Sequence, residues 1–125
     1  MSAFWAKAQD AAQSSKLLLD AGYVDGAVNR AYYAMLHAAR STLERIDPGA
    51  AAAKKHSTVI GQFARQVVRV RGMDPSLGRM FNLVFDLRLI ADYEPERVAA
   101  DVAVEIVADM DRFLTALAPM NQASP

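Results

Sequence analysis

A chain of 125 residues with 53% apolar and 22% charged side chains suits one globular domain and excludes a disordered or low-complexity polymer. The absence of cysteine excludes disulfides and thiolate metal sites, and a formal net charge of zero assigns no partner by overall charge. The amino-terminal MSAFWAKAQDAAQSS lacks the basic start and apolar run of a secretory signal, and no apolar run approaches the ~18 residues that span a membrane. These features lead us to expect a soluble, cytoplasmic protein.

The helix period dominates the whole sequence. A first helix is predicted over 3–21, with Phe4, Trp5, Ala8, Ala11, Ala12, Ser15, Leu18 and Leu19 as one apolar stripe and Gly22 as its stop. A second runs over 25–46, with Asp25 as N-cap, and Asp47-Pro48-Gly49 ends it. The alanine run that follows reads as either a loop or an extra helical turn. Ser57 caps a third helix over 58–71, lined by Val59, Ile60, Phe63, Val67 and Val70. Asp74-Pro75 is a strong start signal for a fourth over 75–92, which buries Leu77, Met80, Phe81, Val84, Leu87 and Leu89. A fifth runs over 95–118, and Pro119 ends it. The expected architecture is all-α: an antiparallel up-and-down bundle of about five helices over 1–120, with a frayed tail at 121–125.

Charge is unevenly placed. Lys54 to Arg79 holds six basic residues and one acid, Asp74, whereas Asp86 to Asp111 holds eight acids and two arginines. Such a split can steer a polyanion to one side, let two copies dock, or simply solvate two packed helices.

Three constellations carry chemistry. In NRAYYAMLHAAR, positions three, four and seven apart share a helix face, so Arg30, Tyr33, His37 and Arg40 (or Ser41) form one line. A guanidinium holds phosphate through two parallel hydrogen bonds, an imidazole moves a proton near neutrality, and a tyrosine stacks on a base. Those parts serve metal-independent RNA cleavage, or nucleotide binding without cleavage. The alternative is a buried histidine hydrogen bond, an Arg30 ion pair and core tyrosines.

In DLRLIADYE, Arg88 and Asp92 sit four apart. Asp92 lies at a helix C-terminus, where the dipole disfavours an acid, so a tertiary partner is expected for it, with Arg30 as the candidate. In KKHSTVIGQF, Lys54, Lys55 and His56 precede a helix N-terminus, and Arg65 and Arg69 extend the positive strip. No zinc-ligand cluster, P-loop, GxGxxG or serine-triad pattern occurs, and no metal or other cofactor is expected.

AGYVDGAVNRAYYAMLHAA, KKHSTVIGQF and RLIADYEPE, in that order, resemble the small HEPN domains of bacteria and archaea, in the branch marked by an RAYYA-type second helix and an R-x-x-A-D-Y ending on the fourth. The resemblance covers nearly the whole chain. It implies a helical bundle that dimerises and often pairs with a minimal nucleotidyltransferase antitoxin. Many relatives are metal-independent ribonucleases; others bind nucleotides or act only as partners. By position, the family's polar residues fall on Asn29, Arg30, Tyr32, Tyr33, His56, Ser57, Arg88, Asp92 and Tyr93. One departure stands out. Ribonuclease members carry an arginine and a histidine separated by four to six residues on a late helix, and here Asp92 and Tyr93 follow Arg88 with no histidine in range. Arg30 and His37 have a compatible spacing on the second helix. Arg30, His37, Arg88 and Asp92 are thus the expected catalytic group. Asn29, Tyr33, His56, Ser57 and Tyr93 are expected to bind RNA or nucleotide.

Overall fold

A computed structural model describes residues 2–122. Its helices are α1 (Ala3–Asp20), α2 (Val24–Glu44), α3 (Pro48–Ala51), α4 (His56–Gln62, continuing as a π-helix over Phe63–Val70), α5 (Pro75–Tyr93) and α6 (Ala100–Gln122). Among the described residues there is no strand, and no helix is long and apolar enough to cross a membrane. The all-α bundle expected from periodicity is what the chain forms. The ambiguous alanine run contributes the sixth, one-turn helix. Asp47 caps it through the Ala50 amide, 3.2 Å away.

The second helix is the axle. Ala27, Val28, Ala31, Tyr32, Ala34, Met35, Leu36, Ala38, Ala39 and Leu43 are all buried, and α2 touches every other helix. Its alanines let α1 pack closely, because small side chains allow two helix backbones to approach. At one end of the core, Phe63, Phe81 and Phe113 join α4, α5 and α6, with ring centroids 5.2–5.7 Å apart. Gly22 and Gly72 stop α1 and the π-helix with φ of 87° and 75°, which other residues reach only at a steric cost.

Several expectations need correction. Asp25 does not cap α2. It lies in the first turn, and its carboxylate accepts the Val98 amide at 2.8 Å, tying the approach to α6 down. Ser57 does not cap α4 either: the helix begins two residues earlier, at His56, with Lys55 in the cap position. Val70 is 76% exposed instead of buried. The wider π turn advances less per residue, so three steps past Val67 fall short of the buried stripe. Leu89 is also exposed. The last helix starts at Ala100, not 95, and runs through Pro119 to Gln122.

Its end is held, not frayed, at Asn121, which is 1% exposed. The Asn121 side-chain amide donates to Thr42 Oγ1 at 3.0 Å and to the Leu117 carbonyl at 2.8 Å, and its oxygen accepts from Ser41 at 2.5 Å. Those bonds satisfy polar groups on two helices at once. The rest of the predicted tail, 123–125, lies outside the described residues. Asn121→Ala should lower the unfolding free energy by about 1–3 kcal/mol, since Ser41 and Thr42 would stay buried with partners lost. Urea denaturation at neutral pH checks this.

Candidate functional site

Two polar groups of residues meet along α2. The first joins α2, α4 and α5. Asn29 Nδ2 donates to Asp92 Oδ1 at 3.1 Å, and Arg88 pairs with Asp92 at 3.5 Å across one turn of α5. The tertiary partner expected for Asp92 exists, but it is Asn29 rather than Arg30. The Arg88 guanidinium lies 4.6 Å from the Tyr32 ring centroid and its side chain is 12% exposed. Tyr32 is fully buried, and its hydroxyl lies 2.6 Å from His56 Nδ1.

Burial pushes the Tyr32 phenol up to about 12, with Arg88 partly offsetting it, and burial next to Arg40 and Arg88 holds the His56 imidazole below its usual range. The phenol therefore keeps its proton and the imidazole is neutral. We assign the phenol as donor to Nδ1, which leaves the N–H of His56 on Nε2.

The second group lines an open cleft of about 410 Å³ between α1 and α2. Lys7, Asp10 and Ser14 come from α1; Arg30, Tyr33 and His37 come from α2. The Arg30 guanidinium stands 5.0 Å from the Tyr33 ring centroid. Its Nε is buried without a hydrogen-bond partner, and so is His37 Nδ1. Among the described residues, no carboxylate lies within ion-pair distance of Arg30. His37 packs between the rings of Phe4 and Tyr33, each 6.1 Å away. Burial, then the charges of Lys7, Arg40 and Arg30, push its pKa down to about 4. Around neutral pH the cleft thus holds an uncharged imidazole, the cations Lys7 and Arg30, and one carboxylate, Asp10. That environment favours an anion, and it offers a base to whatever the anion carries.

The depressed pKa has a consequence for stability. An unfolded histidine titrates near 6.5, so as pH falls the unfolded chain gains its proton before the fold does. The contribution of His37 is fully present above pH 6.5 and is lost progressively between there and about 4, with His56 acting in the same direction. Discounted for its partial exposure, the loss from His37 is on the order of 1–2 kcal/mol. Urea midpoints at pH 7 and pH 4.5 should show the drop, and His37→Gln should flatten it.

The two groups touch through the tyrosines. Tyr32 and Tyr33 meet edge to face at 5.1 Å, and the His56 ring lies 6.1 Å from Tyr33. Each arginine stands over one ring of that pair. The structure therefore brings Asn29, Arg88, Asp92 and His56 together on one side, and Arg30, Tyr33 and His37 on the other. Arg40 leaves the predicted line and turns to the carbonyls of Ala51 and Ala53, at 2.8 and 2.7 Å, where it fastens α3. Ser57 is exposed on a separate groove between α4 and α5, and Tyr93 is exposed at the end of α5. Sequence reasoning missed Lys7, Asp10 and Ser14, although their spacing of three and four marks one helix face.

A family model described as the HEPN domain matches residues 1–120. The chain belongs to the HEPN domain family. It is 31% identical over 110 residues to a Methanocaldococcus jannaschii protein named "Putative toxin MJ0142", covering 86% of this chain and 67% of that one. A second protein of the same organism, named "Putative toxin MJ0605", is 28% identical over 109 residues, covering 86% and 78%. A Thermotoga maritima protein named "UPF0332 protein" is 32% identical over 91 residues, covering 72% and 67%. In this HEPN chain, the Arg88 guanidinium stands over Tyr32 and is paired with Asp92.

Proposed function

We propose that this HEPN chain is a toxin-like component that acts on RNA by metal-independent cleavage in the cleft between α1 and α2. The observation that carries the reading is the uncharged His37 imidazole beside the unpaired Arg30 in an open cleft that also holds Lys7. Toxin appears in the names of two relatives, which agrees with this reading.

In the mechanism, Arg30 and Lys7 hold the phosphodiester, and a base or ribose lies against Tyr33. His37 takes the proton of the 2′-hydroxyl. The 2′-oxygen then bonds to the adjacent phosphorus, and the bond from phosphorus to the 5′-oxygen breaks. The leaving 5′-oxygen takes a proton from solvent. The products are a 2′,3′-cyclic phosphate and a 5′-hydroxyl end. The guanidinium and ammonium stabilise the charge that grows on the phosphoryl oxygens. Asn29, Arg88, Asp92, Tyr32 and His56 set the position of Tyr33 and the adjoining wall.

A second reading, a non-catalytic module that binds a nucleotide and pairs with a minimal nucleotidyltransferase, draws on a different observation. Arg88 pairs with Asp92 at 3.5 Å and Asn29 bonds the same carboxylate, as in a binding scaffold, while Arg88 Nε is buried without a partner. Under either reading we propose a homodimer, and the exposed Leu83, Ile90 and Tyr93 of α5 support it as the contacting stripe. Single-turnover incubation with RNA in EDTA separates the two readings. Cleavage lost in Arg30→Ala and His37→Gln supports the enzyme; nucleotide binding with no cleavage by any of the three proteins supports the module.

A further inference from the structure

The exposed basic residues beside the cleft form a second feature with its own chemistry. Lys54, Lys55, Arg65 and Arg69 are all exposed, and none has an ion-pair partner among the described residues. Lys54 and Lys55 are adjacent and Arg65 and Arg69 are four residues apart, so like charges repel within each pair, which a neutral chain with 14 acids has the means to avoid. The nearby acids are otherwise engaged. Asp47 accepts from the Ala50 amide and from Gln66, and Asp74 accepts from the Ser76 amide. The eight acids of the Asp86–Asp111 segment lie on α5, α6 and the loop between them.

The strip also has a direction. Lys54 and Lys55 immediately precede His56, whose ring lies 6.1 Å from that of Tyr33, and Tyr33 lines the cleft. Arg65 and Arg69, four residues apart in the π-helical stretch, continue along the same element away from the cleft. Exposed cations thus recur along the element that begins beside Tyr33.

We propose that Lys55, Arg65 and Arg69 form a track for the backbone of single-stranded RNA, extending the cleft's grip to nucleotides outside the reacting pair. The proposal rests on the reading that the cleft takes RNA. It assigns to α4 a length-dependent, sequence-independent share of binding. Counterion release makes such contacts visible, because each phosphate neutralised steepens the fall of log K with log salt by about 0.7 for a single strand.

The test uses the full chain, fluorescently labelled single-stranded RNA of twelve nucleotides, and a dinucleotide, all in EDTA. The triple variant Lys55→Gln, Arg65→Gln, Arg69→Gln changes only exposed side chains, and circular dichroism confirms its fold. The salt slope for the twelve-mer should become shallower by about 2 in the variant, while dinucleotide affinity stays at the wild-type value. Equal slopes and affinities for both proteins overturn the track, and if wild type still cuts RNA they leave the cleft reading intact. Wild-type binding with a track-dependent slope but no cleavage supports the track and removes the catalytic reading. No twelve-mer binding by wild type overturns both. Self-association abolished by the variant, with unchanged RNA binding, overturns the track in favour of contact with the acidic face of a second copy.

Discussion

Replacing His37 with glutamine should lower kcat/KM for RNA cleavage by about 10²- to 10⁴-fold, the range a positioned general base supplies. Glutamine keeps the approximate volume between Phe4 and Tyr33, so the loss would report on the proton carrier and not on a collapsed wall. Wild-type kcat/KM should fall on the acid side with a midpoint near 4, well below an ordinary histidine, because burial and the charges of Lys7, Arg40 and Arg30 hold the imidazole neutral in the free protein. The profile for kcat should bend at a higher pH, since a bound phosphodiester offsets those cations. Arg30→Lys separates the two roles of the neighbouring residue: it keeps the charge but loses the planar fork. A partial loss there, between wild type and Arg30→Ala, fits a guanidinium that grips two phosphoryl oxygens. A wild-type acid limb at pH 6.5, unmoved by changing Lys7, would show that the base is elsewhere.

Truncating Phe113 should have the largest effect on the fold. Its ring is fully buried between Phe63 and Phe81, at 5.2 and 5.4 Å, and so fixes α6 against both α4 and α5. Phe113→Ala removes a large apolar side chain and leaves a void among two aromatic neighbours, at a cost of about 3–5 kcal/mol. That is a large part of the total stability of a domain this size. Urea unfolding followed by the single tryptophan, the buried Trp5 of α1, reads it out. Phe113→Leu should recover more than half of the loss. Should Phe113→Ala cost under 1 kcal/mol, α6 is held by something other than this aromatic cluster.

The sequence made the bundle readable because each buried stripe repeats at helical spacing and most boundaries carry a turn residue. Asp74-Pro75 and Gly22 mark the ends they were expected to mark. Where boundaries shifted, a tertiary contact outweighed a local signal. Asn121 finds Ser41 and Thr42 some eighty positions back in the chain, and that carries α6 past Pro119. The π-helical stretch has no signature in a sequence read at 3.6 residues per turn, so Val70 was placed on the wrong face.

The candidate site was half legible. Arg30, Tyr33 and His37 share a face by spacing alone, and the structure gives them one cleft. Their counterparts on α1 were hidden because Lys7, Asp10 and Ser14 read as an ordinary solvent face until α2 is laid against it. Asp92 shows a mixed outcome. Its position at a helix C-terminus correctly pointed to a tertiary partner, but spacing could not choose between adjacent Asn29 and Arg30. One step of about 100° around α2 sends Asn29 toward α5 and Arg30 toward α1. Single-step rotations of this kind decide which of two neighbouring residues serves a site.

Product-end analysis is the most direct measurement. Purified protein in EDTA is incubated with an RNA oligonucleotide and with its 2′-O-methyl counterpart, beside Arg30→Ala and His37→Gln. A 2′,3′-cyclic phosphate from the RNA, nothing from the methylated strand, and loss in both variants is the result predicted. An uncut RNA, or cutting that survives both substitutions, would contradict the assignment of this cleft as the place where the phosphodiester reacts.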